Sequence, residues 1–266
     1  MTAIAVTIAG SDSGGGAGIQ ADLKTFSALG VFGASVITAL TAQNTLGVTA
    51  IADLEPAFIT AQIDAVFSDL KVNAVKIGML SKTGVIEAVA SGLDRYGIKN
   101  TVLDPVMVAT SGDRLIDQSA ISHLQKFLFP RAILITPNLL EASALTDKPV
   151  ADNEKTMLEQ GHLILAQGAK AVLMKGGHGQ SQICTDLLIT PEGFEAFSSP
   201  RIPTRNTHGT GCTLSSAIAA GLAKGLSLRD AVQAAKLYLT GALQAADQLQ
   251  IGQGHGPVHH FHALWT

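Results

Sequence analysis

Ile4-Ala5-Val6-Thr7-Ile8-Ala9-Gly10-Ser11-Asp12-Ser13-Gly14-Gly15-Gly16-Ala17-Gly18-Ile19-Gln20-Ala21 reads as an apolar strand, a glycine-rich loop and the opening of a helix. That order is the first half of a βαβ unit, and the rest of the chain repeats its rhythm. Candidate strands fall at 4–9, 31–40, 74–77, 101–103, 132–136 and 171–174, several of them apolar on both faces. Strands of that kind belong in a mostly parallel sheet with helices on either side. Helices are expected at 17–29, 56–70, 82–96, 118–128, 138–145, 153–168, 211–224 and 228–248. The runs 184–190 and 194–197 are separated only by Pro191-Glu192-Gly193, too short for a crossover helix, so they are expected as an antiparallel pair at one sheet edge.

The 266 residues are 47% hydrophobic and only 15% charged, which supplies a core and excludes a disordered chain. No linker or low-complexity tract interrupts the pattern, so one domain spanning 1–266 is expected rather than two. A net charge of −3 gives no broad basic field for nucleic acid or an anionic membrane, and any anion must be bound locally. Cys184 and Cys212, the only two cysteines, form neither a disulfide framework nor a CxxC site, which points to a reducing cytoplasm. The apolar 3–9 run has no Lys or Arg ahead of it, and no apolar run approaches the roughly 18 residues of a membrane span, so it reads as a strand.

In the first loop, Gly16-Ala17-Gly18-Ile19-Gln20-Ala21 fits a GxGxxG/A dinucleotide fingerprint in form. No acid lies between Lys24 and Asp53 to hold a ribose, and no GK[ST] completes a phosphate loop of the Walker type. A tight turn packing strand against helix is the plain alternative. The second loop, Asn206-Thr207-His208-Gly209-Thr210-Gly211-Cys212-Thr213, runs into the small-residue helix Leu214-Ser215-Ser216-Ala217. Gly209, Thr210 and Gly211 can converge their amides as an anion hole at a helix N-terminus. Cys212 would stand in the first turn, where a lowered thiol pKa suits a proton acceptor; the alternative is a small buried hydrophobe.

Further polar residues follow candidate strands, where open α/β sheets bind ligands. Asp104 follows 101–103, while Asn138 and Glu141 follow 132–136 at i, i+3 spacing on one helix face. Glu141 can hold Mg²⁺ or serve as an ordinary first-turn acid, and Lys175 can meet ATP phosphates or stand solvated at a strand end. Gln43 and Asn44 offer carboxamides to a nitrogen heterocycle, or simply make a turn. The tail His255-Gly256-Pro257-Val258-His259-His260-Phe261-His262 lacks zinc-ligand spacing.

These motifs, with Val75-Lys76-Ile77-Gly78-Met79-Leu80, Leu103-Asp104-Pro105-Val106-Met107, Thr136-Pro137-Asn138 and Lys175-Gly176-Gly177-His178, resemble the hydroxymethylpyrimidine and phosphomethylpyrimidine kinases of thiamine biosynthesis. The resemblance runs the whole chain and implies a ribokinase-like three-layer α/β fold, a central mostly parallel sheet flanked by helices, with no separate lid domain. It implies that Gln43 binds the aminopyrimidine with Gly10, Ala17, Asp22, Met79 and Val106 around it. It also implies that 209–212 is the anion hole, Lys175 contacts phosphate, and Asn138, Thr207 and Glu141 serve Mg²⁺·ATP. The wider group ends its glycine motif in an Asp base, where this chain has Cys212 as the pyrimidine kinases do. A homodimer is implied, and the tail is similar too, as a structural feature rather than a metal site. The competing readings are a pyridoxal or pyridoxine kinase, an NAD-dependent oxidoreductase using the first loop, and a pyrimidine-binding protein without catalysis.

Overall fold

The computed structural model describes residues 2–107, 118–178 and 182–265, so Gly179 of the 176–179 glycine run lies outside the described residues. Strands β1 (Ile4–Ala9), β2 (Phe32–Ile37), β5 (Ala74–Ile77), β6 (Thr101–Leu103), β7 (Leu134–Ile135) and β8 (Val172–Met174) pair in parallel. β9 (Ile183–Thr190) and β10 (Gly193–Pro200) extend the sheet antiparallel beyond β8, giving eight strands in the order β10-β9-β8-β7-β6-β5-β1-β2. The edge hairpin is therefore where the short Pro191-Glu192-Gly193 connection places it.

Alternation along the strands divides two cores. Val6, Ile8, Val75, Ile77, Leu103 and Ile135 face one layer, packed by Ile59 and Ile63 of α2 (Pro56–Phe67), Ile86 and Val89 of α3 (Thr83–Arg95), Ile121 of α4 (Gln118–His123), Leu145 of α5 (Leu139–Thr146) and Ile164 of α6 (Glu154–Ala166). The opposite face carries Ala5, Ala74 and Val102 on β1, β5 and β6, and Leu134, Leu173 and Leu188 toward the hairpin edge. It is covered by α1 (Gly18–Ala28), α7 (Thr210–Ala223) and α8 (Leu228–Gln244) through Phe26, Ile218 and Val232. Ala5 and Ala74 let α7, itself rich in Ala and Ser and buried over most of its length, lie close to β1 and β5.

One strand differs from the reading of 31–40 as a continuous run. The chain breaks at Thr38, whose amide donates to Ala9 O at 3.0 Å and whose hydroxyl donates to Met79 O at 2.9 Å. Residues beyond it form a separate antiparallel hairpin, β3 (Ala39–Asn44) and β4 (Gly47–Asp53). Asn44 is the turn residue of that hairpin, its Oδ1 accepting from Leu46 N and Gly47 N at 2.8 and 3.3 Å.

Candidate active site

The loops after β1, β5, β6, β7 and β8 all emerge at the carboxyl edge of the sheet, and α7 begins among them. The two glycine-rich loops meet there. Gly209 is left-handed at φ +81°, and a Cβ on it would stand 1.9 Å from Gly16 O, so only glycine fits. Gly18 is also left-handed, at φ +56°, and a Cβ on it would stand 2.4 Å from Gly10 O. Asp12 fixes the first loop, its Oδ1 accepting from Gly14 N at 2.8 Å and its Oδ2 from Gly16 N and Ala17 N at 3.0 and 2.8 Å. His208 Nε2 of the second loop reaches the same Oδ2 at 2.8 Å. Burial pushes the Asp12 carboxyl up, but the His208 and amide hydrogen bonds outweigh it and hold the group below its usual range.

At the start of α7, Thr210 N is engaged with Thr207 O at 3.3 Å and Thr213 N with Gly209 O at 2.8 Å. Gly211 and Cys212 remain as first-turn amides at the positive end of the helix, the arrangement that receives an anion. Cys212 is half-buried, and the Gly18 amide of α1 points at its sulfur. The expected lowering of this thiol is not found. Burial pushes it up to about 11, and the nearby Lys76 cation and the Gly18 amide offset only part of that, because Asp22 and Asp104 press in the opposite direction. Iodoacetamide at pH 8 should therefore label Cys212 about a hundredfold more slowly than a thiol of pKa 9.0, with the rate rising toward about 11. Peptide mass spectrometry after timed quenches measures this; labelling at the rate of a free thiol would place Cys212 in a different environment.

Beside the α7 start stands a second cluster. Lys175 Nζ lies 2.8 Å from Asp104 Oδ1 and 3.8 Å from Glu141 Oε2, and its side chain is only 12% exposed. Asp104 also accepts from Thr136 Oγ1 at 3.1 Å and Ser215 Oγ at 3.2 Å. Burial raises the Asp104 carboxyl, but Lys175 and Lys76 outweigh it and hold the group ionised. A Cβ on Gly211 would lie 3.4 Å from Lys175 Nζ, which places this ammonium against the helix start. Glu141 and Asn138 form a reciprocal capping box, Glu141 Oε2 accepting from Asn138 N at 2.7 Å and Asn138 Oδ1 from Glu141 N at 2.9 Å. Burial pushes Glu141 up to about 7 despite the pull of Lys175.

Mg²⁺ fits this donor set in one form only. Among the described residues no group of three or more His, Cys, Asp or Glu could cage a metal ion. Glu141 and Asp104, two hard carboxylates converging on Lys175, suit an ion that keeps waters and phosphate oxygens as its other ligands.

The residues expected around the substrate are placed as follows. Met79 covers Gly10, its Cε 2.6 Å from where a Cβ would be, while Ala17, Gln43 and Val106 are half-buried, Val106 N donating to Asp104 O at 2.8 Å. Asp22, expected in the pocket wall, is fully buried behind it. Its Oδ2 accepts from Thr7 Oγ1 at 2.6 Å and Lys76 Nζ at 2.8 Å, and its Oδ1 from Lys76 Nζ at 2.9 Å and Ser216 Oγ at 2.5 Å. The reason is alternation: Lys76 faces the α1 and α7 layer, and a buried cation there requires a carboxylate. Sequence reasoning assigned no role to Lys76, although a lysine inside the wholly buried strand Ala74–Ile77 is itself a signal. Thr207 contributes its carbonyl to the α7 start, as above. The histidine tail is a brace: His260 Nε2 lies 3.1 Å from Thr213 Oγ1, Gly256 O accepts from His208 N at 3.0 Å, and burial holds His260 down at about 3.

Residues 12–259 match the family model for phosphomethylpyrimidine kinase. The hydroxymethylpyrimidine/phosphomethylpyrimidine kinase of Rhizobium meliloti is 60% identical over 265 residues, covering 100% of this chain and 99% of that protein. An ADP complex of Bacillus subtilis pyridoxal kinase superimposes with a TM-score of 0.92 at 36% identity, covering all of both chains. The phosphomethylpyrimidine kinase of Clostridium difficile does so at 0.80 and 46%, covering 90% of this chain and 99% of its own. With the ribokinase-like sheet, the paired glycine loops and the cysteine at the start of α7 all in place, the chain belongs to the phosphomethylpyrimidine kinase family.

Proposed function

We propose that this enzyme uses ATP to phosphorylate 4-amino-5-hydroxymethyl-2-methylpyrimidine to its monophosphate and then to the diphosphate. The observation that carries this reading is the convergence, at one sheet edge, of the Gly211 and Cys212 amides, the Cys212 sulfur and the Lys175–Asp104–Glu141 cluster. In the first step the hydroxymethyl oxygen bonds to the γ-phosphorus as the bond to ADP breaks, and the hydroxyl proton passes to the Cys212 thiolate. The amides at the start of α7 hold the equatorial oxygens of the transferring group, and Lys175 neutralises phosphate charge as it exchanges Asp104 for the nucleotide. Bound near Glu141, Mg²⁺ supplies charge neutralisation to the phosphates. Asn138 and Thr207 keep the two helix starts in the geometry the nucleotide needs.

Gln43 stands where the ring enters, with Gly10, Ala17, Met79 and Val106 as its walls. Gln43→Leu removes a donor and an acceptor together, and should raise the pyrimidine Kd by about 10² while leaving ATP binding intact. Titration calorimetry with each ligand checks it, and an unchanged pyrimidine affinity would remove the assigned role. The likeness to a pyridoxal kinase keeps a vitamin B6 kinase as the second reading. A mass-spectrometric product assay with Mg²⁺·ATP, offering hydroxymethylpyrimidine, its monophosphate and pyridoxal, separates the two. Successive mono- and diphosphate from the pyrimidine supports the first, and phosphate on pyridoxal alone supports the second. The continuous sheet supports one domain over 1–266, and we extend the reading to a cytoplasmic homodimer. No helix among the described residues is long and apolar enough to cross a membrane.

A further inference from the structure

Strand β3 pairs with β4 along one edge, and its other edge meets the first glycine loop instead of a strand. Ala39, Thr41 and Gln43 alternate onto that second edge. Ser11 N donates to Ala39 O at 2.8 Å, backbone to backbone. Thr41 Oγ1 donates to Ser11 O at 2.8 Å, side chain to backbone. At Gln43 one side chain serves both backbone groups: Gln43 N donates to Ser13 Oγ and Ser13 Oγ donates to Gln43 O, each at 2.8 Å. The proton count closes, because a hydroxyl has one proton to give and lone pairs to receive another. A Cβ on Gly14 would lie 3.1 Å from Gln43 O and 3.1 Å from Asn44 Cα, so the loop approaches this stretch of β3 closely.

The hairpin is irregular where this anchor falls. Its register shifts between Ala42 and Gln43, Ala42 facing Ala50 and Gln43 facing Val48, so Thr49 is an extra residue on β4. A bulge of this kind bends the pairing and re-aims the side chains beside it. The tip beyond it is held from elsewhere, Thr45 Oγ1 accepting from Gln253 N and Gly254 N at 3.2 Å and Thr45 O from His255 N at 3.0 Å. Thr41 and Thr45 thus fix β3 and its turn on either side of 42–44, and Ser13 fixes the stretch between them. We propose that Ser13 is a positioning residue, its hydroxyl holding the Gln43 backbone against the first loop and so setting where the Gln43 carboxamide stands. For the ligand of that carboxamide this rests on the pyrimidine-kinase reading. Ser13 is exposed, so water can take over both Gln43 groups when the hydroxyl is removed. The fold then persists while the placement of Gln43 is lost.

Ser13→Ala should raise the KM for hydroxymethylpyrimidine about tenfold while holding kcat and the KM for ATP within about twofold and the melting temperature within about 4 °C. In a Gln43→Leu background the same change should alter the pyrimidine KM less than about twofold, because the carboxamide it would have placed is gone. An unchanged pyrimidine KM in Ser13→Ala, equal losses in the two backgrounds, or a parallel loss of ATP affinity would overturn the proposal. Amide exchange without ligand keeps the anchor separate from substrate identity. In ¹⁵N-labelled protein, Ser13→Ala should speed exchange of the Gln43 amide about tenfold, while the Ser11 amide, held by Ala39 O, keeps its rate. Unchanged exchange at Gln43 would overturn the anchor itself. Should the wild type and Gln43→Leu bind the pyrimidine alike, the reading of Gln43 fails and the exchange rates still decide whether Ser13 holds it.

Discussion

Replacing Cys212 by serine should cut the first phosphorylation by about 10²–10⁴, the usual contribution of a positioned base, and the second by less than tenfold. The two steps differ in their nucleophile. The hydroxymethyl group must lose a proton, whereas the phosphate oxygen attacked from in the second step is already ionised near neutral pH. A serine keeps the turn geometry and the Gly211 and residue-212 amides, so the anion hole persists while the proton acceptor is lost. The pH dependence sharpens the test. With burial holding the Cys212 thiol up at about 11, only a small fraction is thiolate at neutral pH, and that fraction grows tenfold with each pH unit below about 11. The wild-type first step should therefore accelerate from pH 7 to 9, and the second should not share that slope. Separate single-turnover measurements with hydroxymethylpyrimidine and with its monophosphate read both quantities. Equal losses in the two steps, or a flat first-step profile, would count against Cys212 as the base and leave catalysis to positioning and charge.

How much of this was visible in the sequence depends on how local each feature is. The strands 4–9, 74–77 and 101–103 coincide with β1, β5 and β6, because short apolar runs bounded by loop residues carry their own signal. The Asn138–Glu141 capping box was legible as a spacing, since both partners lie within one turn. The β3–β4 hairpin was not, because Leu40, Leu46 and Ile51 are exposed and β4 buries no regular face from which alternation could be read. The thiol of Cys212 was read in the wrong direction for a related reason. Its place at a helix start is local, but the burial that outweighs the helix comes from loops and strands distant in sequence. Asp12 and His208 stand 196 residues apart, and nothing in either neighbourhood announces the other.

Lys76 shows what such a distant pair does for stability. Lys76→Met should lower unfolding stability by about 3–5 kcal/mol, the range for removing one partner of a buried ion pair. Both side chains are 0% exposed, so no water can take over the charge left on Asp22. Methionine fills most of the lysine volume, and the loss is electrostatic rather than a cavity. Adding Asp22→Asn to Lys76→Met removes the orphaned charge while keeping an oxygen for Thr7 and Ser216, and should recover most of the stability. Urea unfolding of the wild type, the single and the double variant measures this. A single-variant loss under about 1 kcal/mol, or no recovery in the double, would mean that the pair is not carrying the cost of its burial. Activity should follow the same pattern. Lys76 is a cation that offsets the burial of Cys212, and its Asp22 partner, which presses the thiol the other way, ties α1 to Ser216, one turn after Cys212 on α7. The single variant leaves the Asp22 charge beside the thiol without its cation and should slow the first step more than the second, whereas the double variant removes both charges and should recover much of the first step. A buried ion pair behind the pocket thus links the packing of two helices to the proton affinity of the residue between them.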